Sequence, residues 1–140
     1  MREILFRGKT NEGKWIEGQL LHFKASVGSG ELAVIVEGGE WDNSNEWFNL
    51  GKRAKVLTET VGQYTGFTDK NGKKIFEGDI VEGTDFTPED GGYGFVSFDD
   101  GAFEVEGNNT IGTFHENYWG KDFEVIGNIH DNPELLSEGE

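Results

Sequence analysis

The chain has 140 residues, among them 22 glycines, 2 prolines and no cysteine, with 27 Asp/Glu against 12 Lys/Arg for a formal charge of −15. That length suits one domain or two small packed lobes, and the missing cysteines exclude a disulfide framework and thiolate chemistry, as suits a reducing cytoplasm. No apolar leader core follows the first seven residues and no run approaches the roughly 18 apolar residues of a membrane span, so a soluble cytoplasmic protein is expected.

In chain order, apolar residues alternate or cluster in short runs between glycines, the rhythm of strands and tight turns. Strands are expected near 3–7, 14–21, 32–37, 54–58, 61–67, 73–76, 79–83, 93–98, 102–106 and 123–130. Residues 27–30 (Val-Gly-Ser-Gly) read as a loop tip. Residues 42–46 read as a polar loop flanked by Trp41 and Trp47. Asn71-Gly72 is a pair that accepts the positive φ angles of a type I′ hairpin. Glu77-Gly78-Asp79 makes a corner that launches the strand at Ile80-Val81. Residues 84–92, with Pro88 and paired glycines, read as a mobile loop. Asp99-Asp100-Gly101 reads as a hairpin corner, because Asp and Gly are what such a corner needs. Residues 114–119 form a helical turn or an irregular loop. A short terminal helix is expected where Asp131 or Asn132 can cap, Pro133 suits the first helical position and Glu134 complements the dipole. Leu135-Leu136 would dock it, and 137–140 read as a disordered tail.

Charge is unevenly distributed along this plan. Residues 1–80 hold 11 Lys/Arg and 12 Asp/Glu, a net of −1, whereas 81–140 hold Lys121 alone against 15 acids, a net of −14. Neutralising phosphates needs clustered Lys/Arg, so direct nucleic-acid binding by the second half is disfavoured. Such a field is either a solvated surface or a surface that attracts a basic partner.

The search for chemistry returns little. His22, His115 and His130 are far apart, without the closely spaced pair usual in a zinc site, so no metal or cofactor is expected. Asp85 with Glu89-Asp90, and Asp99-Asp100, lack the ligand spacing of a calcium loop. None of the five serines sits in a nucleophile elbow, and no phosphate-cradling glycine loop is present. The chain reads as a non-enzyme. Trp41, Trp47 and Phe48 stand out as candidate contact residues, since an exposed aromatic patch more often marks a protein interface than a nucleic-acid one.

Many short strands with glycine corners argue for a small antiparallel barrel or sandwich. The run from Val61 to Val81, VGQYTGFTDKNGKKIFEGDIV, resembles the signature of the YopX family, small proteins encoded mostly by bacteriophages and prophages. Three further anchors are similar to that family: Arg2–Lys9 with Gly13–Gly18, Tyr93–Phe103, and Phe123–Leu136. The resemblance implies no biochemical activity. It implies an SH3-like barrel at 58–136, preceded by an N-terminal β extension at 1–57 that packs on it or is exchanged with a neighbouring subunit. The expected function is that of a phage or prophage accessory protein acting through protein contact in the host cytoplasm, with homo-oligomers formed to cover strand edges. The alternative is an acidic decoy, a DNA mimic that occupies a nucleic-acid-binding surface of a basic host protein through Asp85, Glu89, Asp90, Asp99 and Asp100.

Overall fold

A computed structural model describes residues 3–83, 92–107, 111–113 and 122–137. The protein is mainly β, with antiparallel pairing at every described ladder. It divides into two compact units, Met1–Gln63 and Tyr64–Glu140.

The first unit is built from β1 (Phe6–Lys9), β2 (Trp15–Lys24), β3 (Glu31–Asp42) and β4 (Trp47–Val56), in the spatial order β4-β3-β2-β1. Gly62 and Gln63, the first residues of β5 (Gly62–Thr68), pair with Arg7 and Phe6 of β1. Side chains alternate between faces of a strand, so the register decides which residues meet. Pairing Gly8 with Ile16, Leu20 with Ile35, and Ile35 with Ala54 puts the apolar residues of neighbouring strands on one face. That face buries Ile16, Ala33, Ile35 and Val56, with Phe6, Leu20, Ala54 and Val61 packed against them. Gly18 is needed here for close approach, because a Cβ at that position would lie 2.1 Å from the Val36 carbonyl oxygen. A 3-10 turn at Thr58–Thr60 ties the end of β4 to β1. Leu57 N–H donates to the Lys9 carbonyl at 2.8 Å, and Lys9 N–H donates to Thr60 Oγ1 at 2.9 Å.

The second unit contains the remainder of β5 with β6 (Lys74–Phe76), β7 (Asp79–Glu82), β8 (Tyr93–Asp99), β9 (Ala102–Glu106), β10 (Ile111–Thr113), β11 (Glu124–Asn128) and α1 (Glu134–Ser137). Five of these strands form a sheet in the order β10-β9-β8-β7-β11. Its core is Ile75, Val81, Val96, Val105 and Phe123, with Phe67 and Val125 against it. The sheet is open: among the described residues β10 and β11 end it on either side, so the SH3-like barrel expected at 58–136 does not close.

Two turns in this unit show how the signature run works. The carboxylate of Asp69 accepts from the amides of Asn71 (2.8 Å) and Lys73 (2.9 Å) through one oxygen, and from the amide of Val125 (3.0 Å) on β11 through the other. Gly72 N–H donates back to the Asp69 carbonyl at 3.0 Å. Only Gly72 takes a positive φ, +82°, so the expected type I′ turn is corrected to an aspartate-anchored one; type I′ needs Asn71 in that region as well. At the second corner Asp79, 1% exposed, accepts the Phe76 amide at 2.8 Å, while Gly78 N–H reaches the Val96 carbonyl at 2.8 Å. These residues are staples that satisfy buried backbone groups.

The last strand is shorter than expected and ends at Asn128. That side chain accepts the amides of His130 (3.0 Å) and Asp131 (2.9 Å) and so turns the chain. The expected terminal helix follows, with the Tyr93 hydroxyl donating to the Leu135 carbonyl. The loop expected at 84–92 lies almost wholly outside the described residues, and the segment 114–119 wholly so.

Candidate interaction surface

β3 and β4 run well past the strands expected from the sequence. β3 continues to Asp42, beyond the expected 32–37, and β4 begins at Trp47, ahead of the expected 54–58. β2 accompanies β3 only as far as the Gln19–Val36 pair. Past that point β3 and β4 have only each other among the described residues, and 37–52 form a two-stranded arm, exposed along nearly all its length.

Glycines shape the base of the arm. Gly38 has φ +71°, and a Cβ on Gly51 would lie 2.0 Å from the Glu37 carbonyl oxygen, so the strands approach there as no other residue permits. An aspartate ties the tip. Asp42 accepts from the Ser44 amide (2.9 Å), the Ser44 hydroxyl (2.6 Å) and the Asn45 side-chain amide (2.9 Å). The Ser44 hydroxyl first, then Asn45 and the Ser44 backbone, hold its carboxyl down at about 2. Glu46, at φ +55°, completes the reversal.

Between base and tip the register pairs Trp41 with Phe48, Asp42 with Trp47 and Gly39 with Leu50. Trp41, Phe48 and Leu50 therefore share one face, and Trp47 lies on the other. Trp41 is 73% exposed, Phe48 71%, Trp47 45% and Leu50 40%. The structure thus places two of the three aromatic residues singled out in the sequence, Trp41 and Phe48, on one face with Leu50, and sets Trp47 on the opposite face of the same arm. Leu50 was missed because it stands in a run, Asn49-Leu50-Gly51-Lys52, with no strand rhythm of its own.

Asp99 and Asp100 sit exposed in the β8–β9 turn, where Asp100 takes φ +51° and donates its amide to Asp99 Oδ1 at 3.0 Å. Asp85, Glu89 and Asp90 lie outside the described residues, as does His115. His22 Nε2 stands 3.6 Å from Glu31 Oε2, both largely exposed. They border a groove of about 270 Å³ with Leu20, Ala33, Thr58 and Val61. The ionisable residues of that lining are His22 and Glu31. Among the described residues no three His, Cys, Asp or Glu side chains gather as metal ligands, and no helix is long and apolar enough to cross a membrane.

The family described as YopX protein matches residues 5–137. The chain belongs to the YopX family. In structure it is similar to protein EF1440 from Enterococcus faecalis, known from a crystal structure, with a TM-score of 0.62 and 25% sequence identity over 97% of this chain and 99% of that one. No curated protein matches the chain.

Proposed function

We propose that this YopX-family chain is a non-enzymatic protein-interaction module, encoded by a phage or prophage and acting in the cytoplasm of the bacterial host, with the β3–β4 arm as its contact surface. One observation carries the reading: Trp41, Trp47, Phe48 and Leu50 stand exposed on an arm that has no third strand beside it among the described residues. A two-stranded ribbon in water is marginally stable by itself, and exposed aromatic clusters of this kind are recognition features. Tagged protein incubated with nuclease-treated host lysate should retain its partner as salt rises, since apolar contacts are weakly screened. Phe48→Ala with Trp41→Ala should release that partner. Undiminished capture by the double variant would overturn the arm as the contact surface.

A second reading, the acidic decoy, is favoured by the net charge of −14 in 81–140. Its complex would contain a basic, nucleic-acid-binding protein and weaken steeply with ionic strength. Reversal of Asp85, Glu89, Asp90, Asp99 and Asp100 to lysine would abolish it, and binding that survives the reversal excludes it.

A further inference from the structure

β4 is an edge strand. Among the described residues it pairs with β3 on one side and with nothing on the other. An unpaired edge ten residues long offers a row of free N–H and C=O groups, and proteins usually guard such edges with Lys or other charges. Here the guard covers half the strand. Lys52, Arg53 and Lys55 occupy the end nearer the body of the sheet, while Trp47-Phe48-Asn49-Leu50 carries no cation at all.

We propose that the occupant of this edge is a second copy of the same chain, its β4 paired antiparallel to the first about a two-fold axis at Asn49. This rests on the arm being the contact surface and names its partner. Charge selects the register. An axis among residues 52–55 would set Lys52, Arg53 and Lys55 of one copy against the same cations of the other. The axis at Asn49 instead confines the ladder to Trp47–Gly51 and brings Lys52 of each copy beside Glu46, the last residue of its partner's turn. The same register places Phe48 against Leu50 and Trp47 against Gly51, where an aromatic ring can cover the strand that lacks a side chain. Because Trp41 shares the face of Phe48 and Leu50, the paired arms carry one continuous apolar stripe from both copies. The two-fold repeats each contact, as an isologous interface requires.

Sedimentation of the full-length protein over a wide concentration range tests this directly. The wild type should dimerise; Glu46→Lys and Lys52→Glu should each weaken association at least tenfold, and the two together in one chain should restore it. Singles that associate as tightly as wild type, or a double that fails to recover while circular dichroism shows it folded, would overturn the register. A wild type that stays monomeric at millimolar concentration would overturn self-pairing. If the same arm, carrying Phe48→Ala and Trp41→Ala, still lost a lysate partner, the interaction-module reading would survive that loss with a foreign occupant.

Discussion

Two hairpins of this protein are turned by the same device and end up in opposite circumstances. At the tip of the arm and again between β5 and β6, an aspartate accepts the amide two residues ahead: Ser44 for Asp42, Asn71 for Asp69. Both carboxyls are held below their ordinary value. At Asp42 all the partners lie within three residues of the aspartate, and the tip is in water. Asp69 also reaches the Val125 amide, a separation of 56 residues, and is 6% exposed. Burial there works to raise its pKa, and the amides of Val125, Lys73 and Asn71, with the Lys73 charge, outweigh it. A local turn and a long-range clamp can thus be written with the same residues. The difference between them is what each hairpin has been folded against.

The comparison breaks most severely at the clamp. Asp69→Ala would strand backbone donors of Asn71, Lys73 and Val125 in a site with little access to water, and should lower stability by about 3 kcal/mol. Urea unfolding followed by tryptophan fluorescence and circular dichroism would read the shift, and an unchanged midpoint would refute the clamp.

The same carboxylate sets a pH dependence. Its folded pKa lies below the unfolded value, so its stabilisation is fully present above the ordinary carboxylate range and is lost as pH falls through the lower folded value. The wild type should therefore lose stability on acidification below about pH 4 more steeply than Asp69→Asn. Parallel curves for the two proteins would exclude Asp69 as the group responsible.

Gly51→Ala strikes the arm instead. A methyl group 2.0 Å from the Glu37 carbonyl must push the strands apart, a cost of about 1–3 kcal/mol confined to the arm's base. Hydrogen exchange should quicken at the Gly39–Leu50 pairing while Ala33 and Val56 remain protected. Uniform loss of protection across the first unit would show that the arm is not separable from the sheet.

The smallest effect is expected at Asp42. Its partners are all local, so Asp42→Ala should leave the urea midpoint where it is and accelerate exchange only at Ser44 and its neighbours. A fall in the midpoint comparable with that of Asp69→Ala would erase the distinction between the two hairpins.

Particular residues show how far the sequence could be read. Trp41 and Trp47 flank the tip as expected, because the polar run between them is turn chemistry. The length of the arm was not legible. Period-two alternation marks a strand only when one of its faces is buried, and past Val36 neither face is. Gly38, Gly39 and Glu40 therefore fall outside the strand expected at 32–37, although their backbones continue β3. Asn71-Gly72 misled for the reverse reason: the pair is a strong type I′ signal, but the carboxylate two residues earlier takes the Asn71 amide first. The barrel expected at 58–136 depended on pairing between strands distant in sequence, and β10 and β11 stay apart in the order observed.

By itself, the sequence determined a mainly β protein of the YopX family, its glycine and aspartate corners, its terminal helix and its charge asymmetry. These are properties of local backbone preference and composition, and they need no knowledge of what lies across space. Only the tertiary structure decided that Asp69 clamps β11, that the second sheet stays open and that 37–52 project as an arm. Each of those depends on which strand stands beside which, a choice made by burial and register summed over the whole unit.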